Sequence, residues 1–161
     1  MQRTLKITLP AGLFCLAACS HSGPPIHPAT EAVQVSSGAD WTQEETISIT
    51  LSEYAFSPDQ LRLSGGRPYR FHLQNKGTSR HTFTAPEFFT AVAVREGAVA
   101  DEALTSGGTI TVPAGGTKDI ELVPLNPGTY EMVCDVPMHS LFGMTGQIVI
   151  QPAPAPAAAG S

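Results

Sequence analysis

The sequence predicts an all-β domain, built as a sandwich or a barrel, over residues 46–151. Short runs in this range alternate apolar and polar residues, at the two-residue period of a half-buried strand. Gly and Pro separate the runs and favour tight chain reversals. Many short strands at such close spacing are typical of sandwiches and barrels. One domain of ordinary size accommodates them all.

The strands follow from this alternation in chain order. Near residue 70, Tyr69, Phe71 and Leu73 share one face of a strand, and His72 lies on the opposite face. His72 is therefore predicted to face solvent and not to bind a metal. The other predicted strands are Ile47–Leu51, Thr109–Val112, Lys118–Val123, Thr129–Cys134 and Thr145–Ile150, with a further strand carrying His81 and Phe83.

One stretch departs from the strand pattern. Residues 86–93 begin with Pro86 and place Phe88, Phe89 and Val92 at helical spacing. Proline suits the first position of a helix, so one short helix on the edge of the sheet is predicted here. The acidic stretch 95–107 is interpreted as a surface segment whose carboxylates form a solvated face and not a catalytic pair.

The N-terminus has the pattern of a targeting segment. A basic start precedes an apolar run that is too short to span a bilayer and fits a signal-peptide core. Residues 16–19, Leu-Ala-Ala-Cys, resemble a bacterial lipobox, which implies cleavage after residue 18 and lipidation of Cys19. The alternative is an ordinary secretory signal cut nearby. We expect a lipid-anchored protein of the bacterial cell envelope, facing the periplasm, on the outer membrane in preference to the inner one.

Both ends of the mature chain are predicted to be extended. Residues 19–45 are rich in small and polar residues and are interpreted as a flexible tether, with Trp41 available to dock on the domain. The Pro/Ala stretch 152–161 is predicted to be a disordered tail. Without residues 1–18 the chain carries seven basic and 14 acidic side chains, a net charge of −7. This balance argues against nucleic-acid binding and suits a basic protein partner.

The chemistry of the chain concentrates in one short segment. Cys134, His139 and Met144 lie within eleven residues, and His81 lies on an earlier strand. A thiolate, two imidazoles and a thioether are the ligands of a trigonal copper site with a weak axial sulfur. Zinc suits the set less well, because structural zinc sites use Cys and His and not a thioether. Once Cys19 is lipidated, Cys134 has no disulfide partner, and binding one copper ion explains it.

The strand period indicates how these residues can meet. Tyr130, Met132 and Cys134 share one face of their strand, and His81 shares a face with Phe83. If Tyr130 is buried, the Cys134 sulfur also points inward. The following loop must then bend back, for which Pro137 and Gly143 are suitable residues. The alternative is a coincidental arrangement in a loop that binds no metal.

Residues 128–150 resemble the C-terminal copper loop and last strand of the cupredoxins, the type 1 (blue) copper proteins. The Cys-x4-His-x4-Met spacing is similar to that of the auracyanins and rusticyanin. Upstream, residues 75–81 resemble the cupredoxin strand that supplies the first histidine. The resemblance implies a Greek-key β-sandwich with copper at one end.

The resemblance also implies a role for each ligand. His81 and His139 would be the equatorial imidazoles, Cys134 the thiolate and Met144 the axial thioether. Met132 and Met138 are rival axial donors. In the family the second histidine reaches the surface within an apolar patch and is the exit for electrons. Here the candidate patch consists of Pro137, Met138, Leu141 and Phe142.

One position departs from the family pattern. Many blue copper proteins place Asn after the first histidine to hydrogen-bond the cysteine sulfur, whereas this chain has Thr82. The departure leaves open how the surroundings of the thiolate set the reduction potential.

The predicted function is a monomeric electron carrier that moves single electrons between a donor and an acceptor redox protein. The alternative is copper handling, in which the domain buffers copper or delivers it to a copper-accepting protein. An enzyme is not expected, because the His-x-His pairs of multicopper oxidases and the second loop cysteine of a binuclear copper site do not occur in the sequence.

Overall fold

The computed structural model describes residues 36–155, which fold into ten strands and two short helices. The predicted signal peptide 1–18, the predicted lipidation site Cys19, the first part of the predicted tether and residues 156–161 lie outside the described range. The strands are β1 Glu45–Ser52, β2 Ala55–Ser57, β3 Gln60–Ser64, β4 Tyr69–Asn75, β5 His81–Thr84, β6 Val92–Val94, β7 Thr109–Val112, β8 Thr117–Pro124, β9 Gly128–Val133 and β10 Thr145–Gln151.

The strands form two five-stranded sheets, ordered β2-β1-β4-β8-β6 and β3-β10-β9-β5-β7. Two pairs are parallel, β1 with β4 and β3 with β10, and the other pairs are antiparallel. Strands that follow one another in sequence repeatedly change sheet, as Greek-key connections require. The predicted all-β Greek-key sandwich is confirmed.

The buried faces of the two sheets meet in an aromatic core. Phe71 of β4 stacks on Phe88 with centroids 5.8 Å apart, and Phe83 of β5 packs edge-on against Phe71 at 6.1 Å. Phe56 and Phe89 also lie against Phe83, at 6.2 and 6.3 Å. Edge-to-face aromatic packing of this kind stabilises a core beyond the area it buries. It also fixes β5, which begins with His81.

The helices differ from the sequence prediction. Helix α1 spans Pro86–Thr90, with Pro86 in its first turn and Phe88 and Phe89 buried. The prediction extended this helix to residue 93, but Val92–Val94 form β6, paired with β8. A β-branched valine fits a sheet edge well, so its pairing with β8 outweighs the helical spacing.

A second helix, α2, spans Ala98–Thr105 within the stretch 95–107, for which the sequence predicted a surface segment and no helix. The prediction that its acids form only a solvated face is wrong for Glu102. Its carboxylate accepts from the amide of Thr111 at 2.8 Å and pairs with Lys118. These contacts attach α2 to β7 and β8. Glu102 therefore has a structural role in the acidic stretch.

The segment before β1, the end of the predicted tether, contacts the domain, as predicted for Trp41. Asp40 caps the 3-10 turn Trp41–Gln43, and the guanidinium of Arg95 lies 5.1 Å from the centre of the Trp41 ring. Between residues 36 and 155, every helix is too short or too polar to cross a bilayer. His72 is partly exposed on β4 and contacts Asp119 at 2.7 Å, which agrees with its predicted position away from the metal site.

Candidate metal centre

Three of the predicted ligands meet at one end of the sandwich. The Nδ1 atoms of His81 and His139 lie 3.1 Å apart, and the Cys134 Sγ lies 3.9 Å from the first and 3.5 Å from the second. Their donor atoms all fall within 4.8 Å of one another. His81 and Cys134 are 0% exposed and His139 is 9% exposed. Water is therefore largely excluded from the cluster.

The donor set fits a cation better than it fits an empty core. Two imidazole nitrogens and a sulfur face one buried point, which places three potential metal-donor atoms together away from water. Soft sulfur together with imidazole suits copper in both of its common oxidation states. The arrangement of His81, Cys134 and His139 could bind one copper ion.

Strand β5 places His81 in the site. His81 pairs with Val112 of β7 in antiparallel register, and Phe83 anchors the strand in the aromatic core two residues later. The buried Asn75 shapes the preceding loop, because its amide donates to the carbonyls of Ser79 and Val112 at 2.8 and 2.9 Å. The sequence marked Asn75 only as a turn residue, whereas it orders the loop that leads into His81.

Burial favours the ligand form of His81. Removal from water lowers the pKa of the His81 imidazole, and the nearby Glu53 carboxylate only partly opposes that effect. A neutral imidazole has a lone pair to offer a metal, whereas an imidazolium has none.

The loop from Cys134 to Met144 is closed by its own backbone. The amide of Cys134 donates to the carbonyl of Met144 at 3.0 Å, and the amide of Met144 donates to the carbonyl of His139 at 3.0 Å. Gly143 has a φ of 103°, which explains why glycine stands at this bend. The three positions that carry potential ligands in the loop are thereby fixed to one another.

Burial separates Met138 from the other two candidate axial methionines. Met144 and Met132 are buried, whereas Met138 is 54% exposed and takes a left-handed φ of 73°. A methyl carbon built on Gly146 would lie 2.3 Å from the Cε of Met132, so Met132 packs against β10. Met144, whose backbone is hydrogen-bonded to both Cys134 and His139, remains the preferred axial candidate.

Thr82, at the position where the resemblance leads one to expect Asn, forms a hydrogen bond to the cysteine sulfur. Its backbone amide donates to the Cys134 sulfur at 3.4 Å. Its hydroxyl donates to the Asp135 carboxylate and accepts from the Asp135 amide, both at 2.8 Å. Thr82 therefore ties the strand of the first histidine to the start of the loop.

The sequence analysis missed two residues of the site, Glu53 and Tyr54, in the turn between β1 and β2. The Tyr54 ring packs edge-on against His139 with centroids 4.9 Å apart, and it contacts Phe142 at 5.0 Å. Glu53 lies beside His81, with Oε1 3.5 Å from Nε2. No local pattern in the turn predicts these contacts, which arise because the ends of β1 and β4 meet the loop.

An apolar rim surrounds His139 at the surface. Tyr54, Met138, Leu141 and Phe142 are 40, 54, 75 and 58% exposed, and they account for all but one of the large exposed hydrophobic residues of the described range. Pro137 is exposed as well. Grouped apolar exposure of this kind on a small domain marks an interaction surface.

Solved structures similar to this chain are auracyanins. A dithionite-reduced auracyanin from Roseiflexus castenholzii is 22% identical, with 66% of this chain and 97% of that chain covered and a TM-score of 0.49. Auracyanin B is 20% identical, with 68% and 89% covered and a TM-score of 0.48. Auracyanin A of Chloroflexus aurantiacus, described as a "blue" copper protein, is 24% identical, with 67% and 99% covered and a TM-score of 0.43.

No curated protein matches the chain. Residues 11–150 match the family model of the cupredoxin-like domain. That match covers most of the chain and includes the strands and all of the candidate ligands. On this match, the chain belongs to the cupredoxin-like family.

Proposed function

We propose that this chain is a mononuclear type 1 copper protein that carries single electrons between redox proteins in the bacterial cell envelope. The observation that carries the proposal is the buried cluster of His81, Cys134 and His139, with its donor atoms within 4.8 Å of one another. Membership of the cupredoxin-like family supports it. His81, Cys134 and His139 would hold the copper, with Met144 as the axial ligand.

Copper bound by these residues would supply reversible one-electron chemistry between Cu(I) and Cu(II). The protein's part is to keep the ligands in one arrangement for both states. Strand β5 holds His81, and the hydrogen bonds among Cys134, His139 and Met144 hold the loop. A site whose ligands move little between oxidation states exchanges electrons with little reorganisation.

The apolar rim around His139 is the proposed contact surface for redox partners. His139 is the least buried of the three clustered ligands, so it provides the shortest route from the site to the surface. Exposed apolar side chains exclude water on contact and allow a brief, weak encounter. The net negative charge of the chain would steer a basic partner toward it.

The envelope location rests on the sequence. The lipobox-like segment and Cys19 lie outside the described residues, so lipid anchoring and its membrane remain part of the proposal. Cys134 is a buried free thiol, the only free cysteine within residues 36–155. We propose a monomer that reaches its partners from a lipid anchor through the tether 19–45.

Copper exchange separates the electron carrier from a copper-delivering protein. The full-length protein, loaded with one copper, is challenged with a Cu(I) chelator when reduced and with a Cu(II) chelator when oxidised. A carrier is expected to lose copper slowly in both states and to pass electrons reversibly to a redox dye. Rapid loss from one state, with copper passing to a competing protein, would contradict the carrier and support copper handling.

A further inference from the structure

His81 has a second ring nitrogen that the proposed copper site does not use. Its Nε2 is fully buried and has no hydrogen bond in the described structure. The nearest carboxylate oxygen is Glu53 Oε1, 3.5 Å away, a separation longer than an ordinary hydrogen bond. A buried N–H without an acceptor costs free energy. An N–H at the Nε2 of His81 would therefore need an acceptor, and Glu53 is the nearest carboxylate.

The surroundings of Glu53 hold its carboxylate in the charged form. Its Oε1 accepts from the backbone amides of Ser79 and Thr78, at 3.0 and 2.7 Å. These two N–H groups lower the pKa of Glu53 to about 2. The loop that leads into His81 therefore fixes the carboxylate in place.

Gly77 leaves the space in which the two groups approach each other. A methyl carbon built on Gly77 would lie 2.6 Å from Glu53 Oε1 and 2.7 Å from His81 Nε2. Both separations are shorter than real side-chain contacts. The backbone of Gly77 is outside the left-handed region, so glycine is required here for space and not for conformation. Three parts of the chain thus converge on the unused nitrogen of His81.

We propose that Glu53 is a positioning residue of the copper site: its carboxylate is the acceptor toward which the Nε2–H of His81 is directed, so that the Nδ1 of His81 faces Cys134 and His139. The inference rests on the proposed function, because it requires His81 as a ligand. Histidines that bind metals generally donate their second N–H to such an acceptor, which fixes the ring and strengthens the donor. The negative charge of Glu53 also stabilises the oxidised, more positive site.

Two variants separate the charge from the contact. Glu53→Gln removes the charge and keeps the shape, whereas Gly77→Ala keeps the charge and crowds both the Glu53 carboxylate and the Nε2 of His81. The control is Glu96→Gln, an exposed glutamate beside Arg95, which contacts Trp41 just before β1. Glu53 follows the last residue of the eight-residue β1, so the control lies toward the opposite end of that sheet.

Three measurements are made on the full-length protein: the Kd for Cu(II), the reduction potential, and the His81 tautomer of the metal-free protein by ¹⁵N NMR. In wild type we expect the Nε2–H tautomer. Both Glu53→Gln and Gly77→Ala should weaken Cu(II) binding about tenfold or more and raise the potential. Gly77→Ala should also mix the tautomers. Glu96→Gln should change none of these values.

The outcomes distinguish this inference from the proposed function. If wild type is redox-active with copper, but both variants match Glu96→Gln in Kd and potential and lose only unfolding free energy, Glu53 merely supports the loop and the inference is overturned. An Nδ1–H tautomer in metal-free wild type would overturn it as well. If wild type binds no copper, the proposed function fails, and an Nε2–H tautomer that depends on Gly77 would still support the contact.

Discussion

The backbone amide of Thr82 donates a hydrogen bond to the sulfur of Cys134 across 3.4 Å. This bond joins the strand of the first histidine to the loop of the other candidate ligands, which lies 52 residues further along the chain. The Thr82 hydroxyl bonds to Asp135 and lies 3.7 Å from the same sulfur, so a substitution that removes the hydroxyl and keeps the amide tests the two groups of Thr82 separately.

Thr82→Val should lower stability and preserve the copper chromophore. The substitution keeps the backbone amide that faces the sulfur, but it leaves the Asp135 amide without its acceptor. We expect the free energy of unfolding of the metal-free protein to fall by about 1–2 kcal/mol, as measured by urea denaturation. The matched control, Thr117→Val at an exposed position of β8, should change it by less than about 0.5 kcal/mol. Unchanged stability, or loss of the visible band, would contradict the assigned roles.

Met144→Gln should keep the colour of the copper-loaded protein and lower its reduction potential. A thioether favours Cu(I) more than an amide oxygen does. The potential should fall by more than about 60 mV, a tenfold change in the ratio of the two states, as measured by spectroscopic redox titration. The control is the exposed Met138, whose replacement by Gln should leave the potential unchanged. A lowered potential in Met138→Gln alone would mean that the axial assignment is wrong.

Leu141→Ser should slow electron exchange without destabilising the fold. Leu141 is 75% exposed, so its replacement should change the free energy of unfolding by less than about 0.5 kcal/mol. If the apolar rim is the contact surface, the electron self-exchange rate between oxidised and reduced copies should fall about tenfold. The rate is measured by NMR line broadening. The control is Leu104→Ser, at a residue that is 57% exposed on α2. Equal self-exchange rates in the two variants would show that the apolar rim is not the contact surface.

Glu102→Gln should weaken the attachment of α2 in a pH-dependent way. Burial alone would raise the pKa of Glu102, but the Lys118 ammonium and the Thr111 amide outweigh it and lower the pKa below 4.5. A lowered folded-state pKa gives stability that is present above pH 4.5 and is lost as the pH falls through the folded value.

The metal-free Glu102→Gln protein should therefore be less stable than wild type at pH 7, by about 1 kcal/mol. That difference should shrink as the pH falls below 4.5. Chemical denaturation at a series of pH values measures it, with Asp101→Asn on the same helix as the control. A difference that stays constant with pH would show that the ion pair with Lys118 does not stabilise the fold.

The periodic part of the fold could be predicted from the sequence. Strands such as β1 and β4 alternate apolar and polar residues along most of their eight and seven positions, so the buried face of each is evident from the sequence. The same period placed Cys134 on one face with Tyr130 and Met132, and His81 on one face with Phe83, and the structure brings the donor atoms of His81 and Cys134 together. Gly143 was predicted as a bend and has the positive φ that such a bend requires.

The short elements could not be predicted in the same way. β2 and β6 have three residues each, too few to show a period, and pairing with a neighbouring strand decides their conformation. β3 buries Leu61 and Leu63 in alternation, and this strand was not among those predicted. Glu53 and Tyr54 reach the site only because the β1–β2 turn packs on the copper loop, a tertiary contact with no local signal.

The proposed function requires that His81, Cys134 and His139 form a redox-active copper–thiolate site. The most direct test is a Cu(II) titration of the full-length protein, followed by its visible spectrum and by reduction with ascorbate, with Cys134→Ser as the control. We predict an intense band that saturates at one copper per chain, bleaches on reduction, returns on reoxidation and is absent in Cys134→Ser. A wild-type spectrum without the band, or one that Cys134→Ser leaves unchanged, would contradict the account.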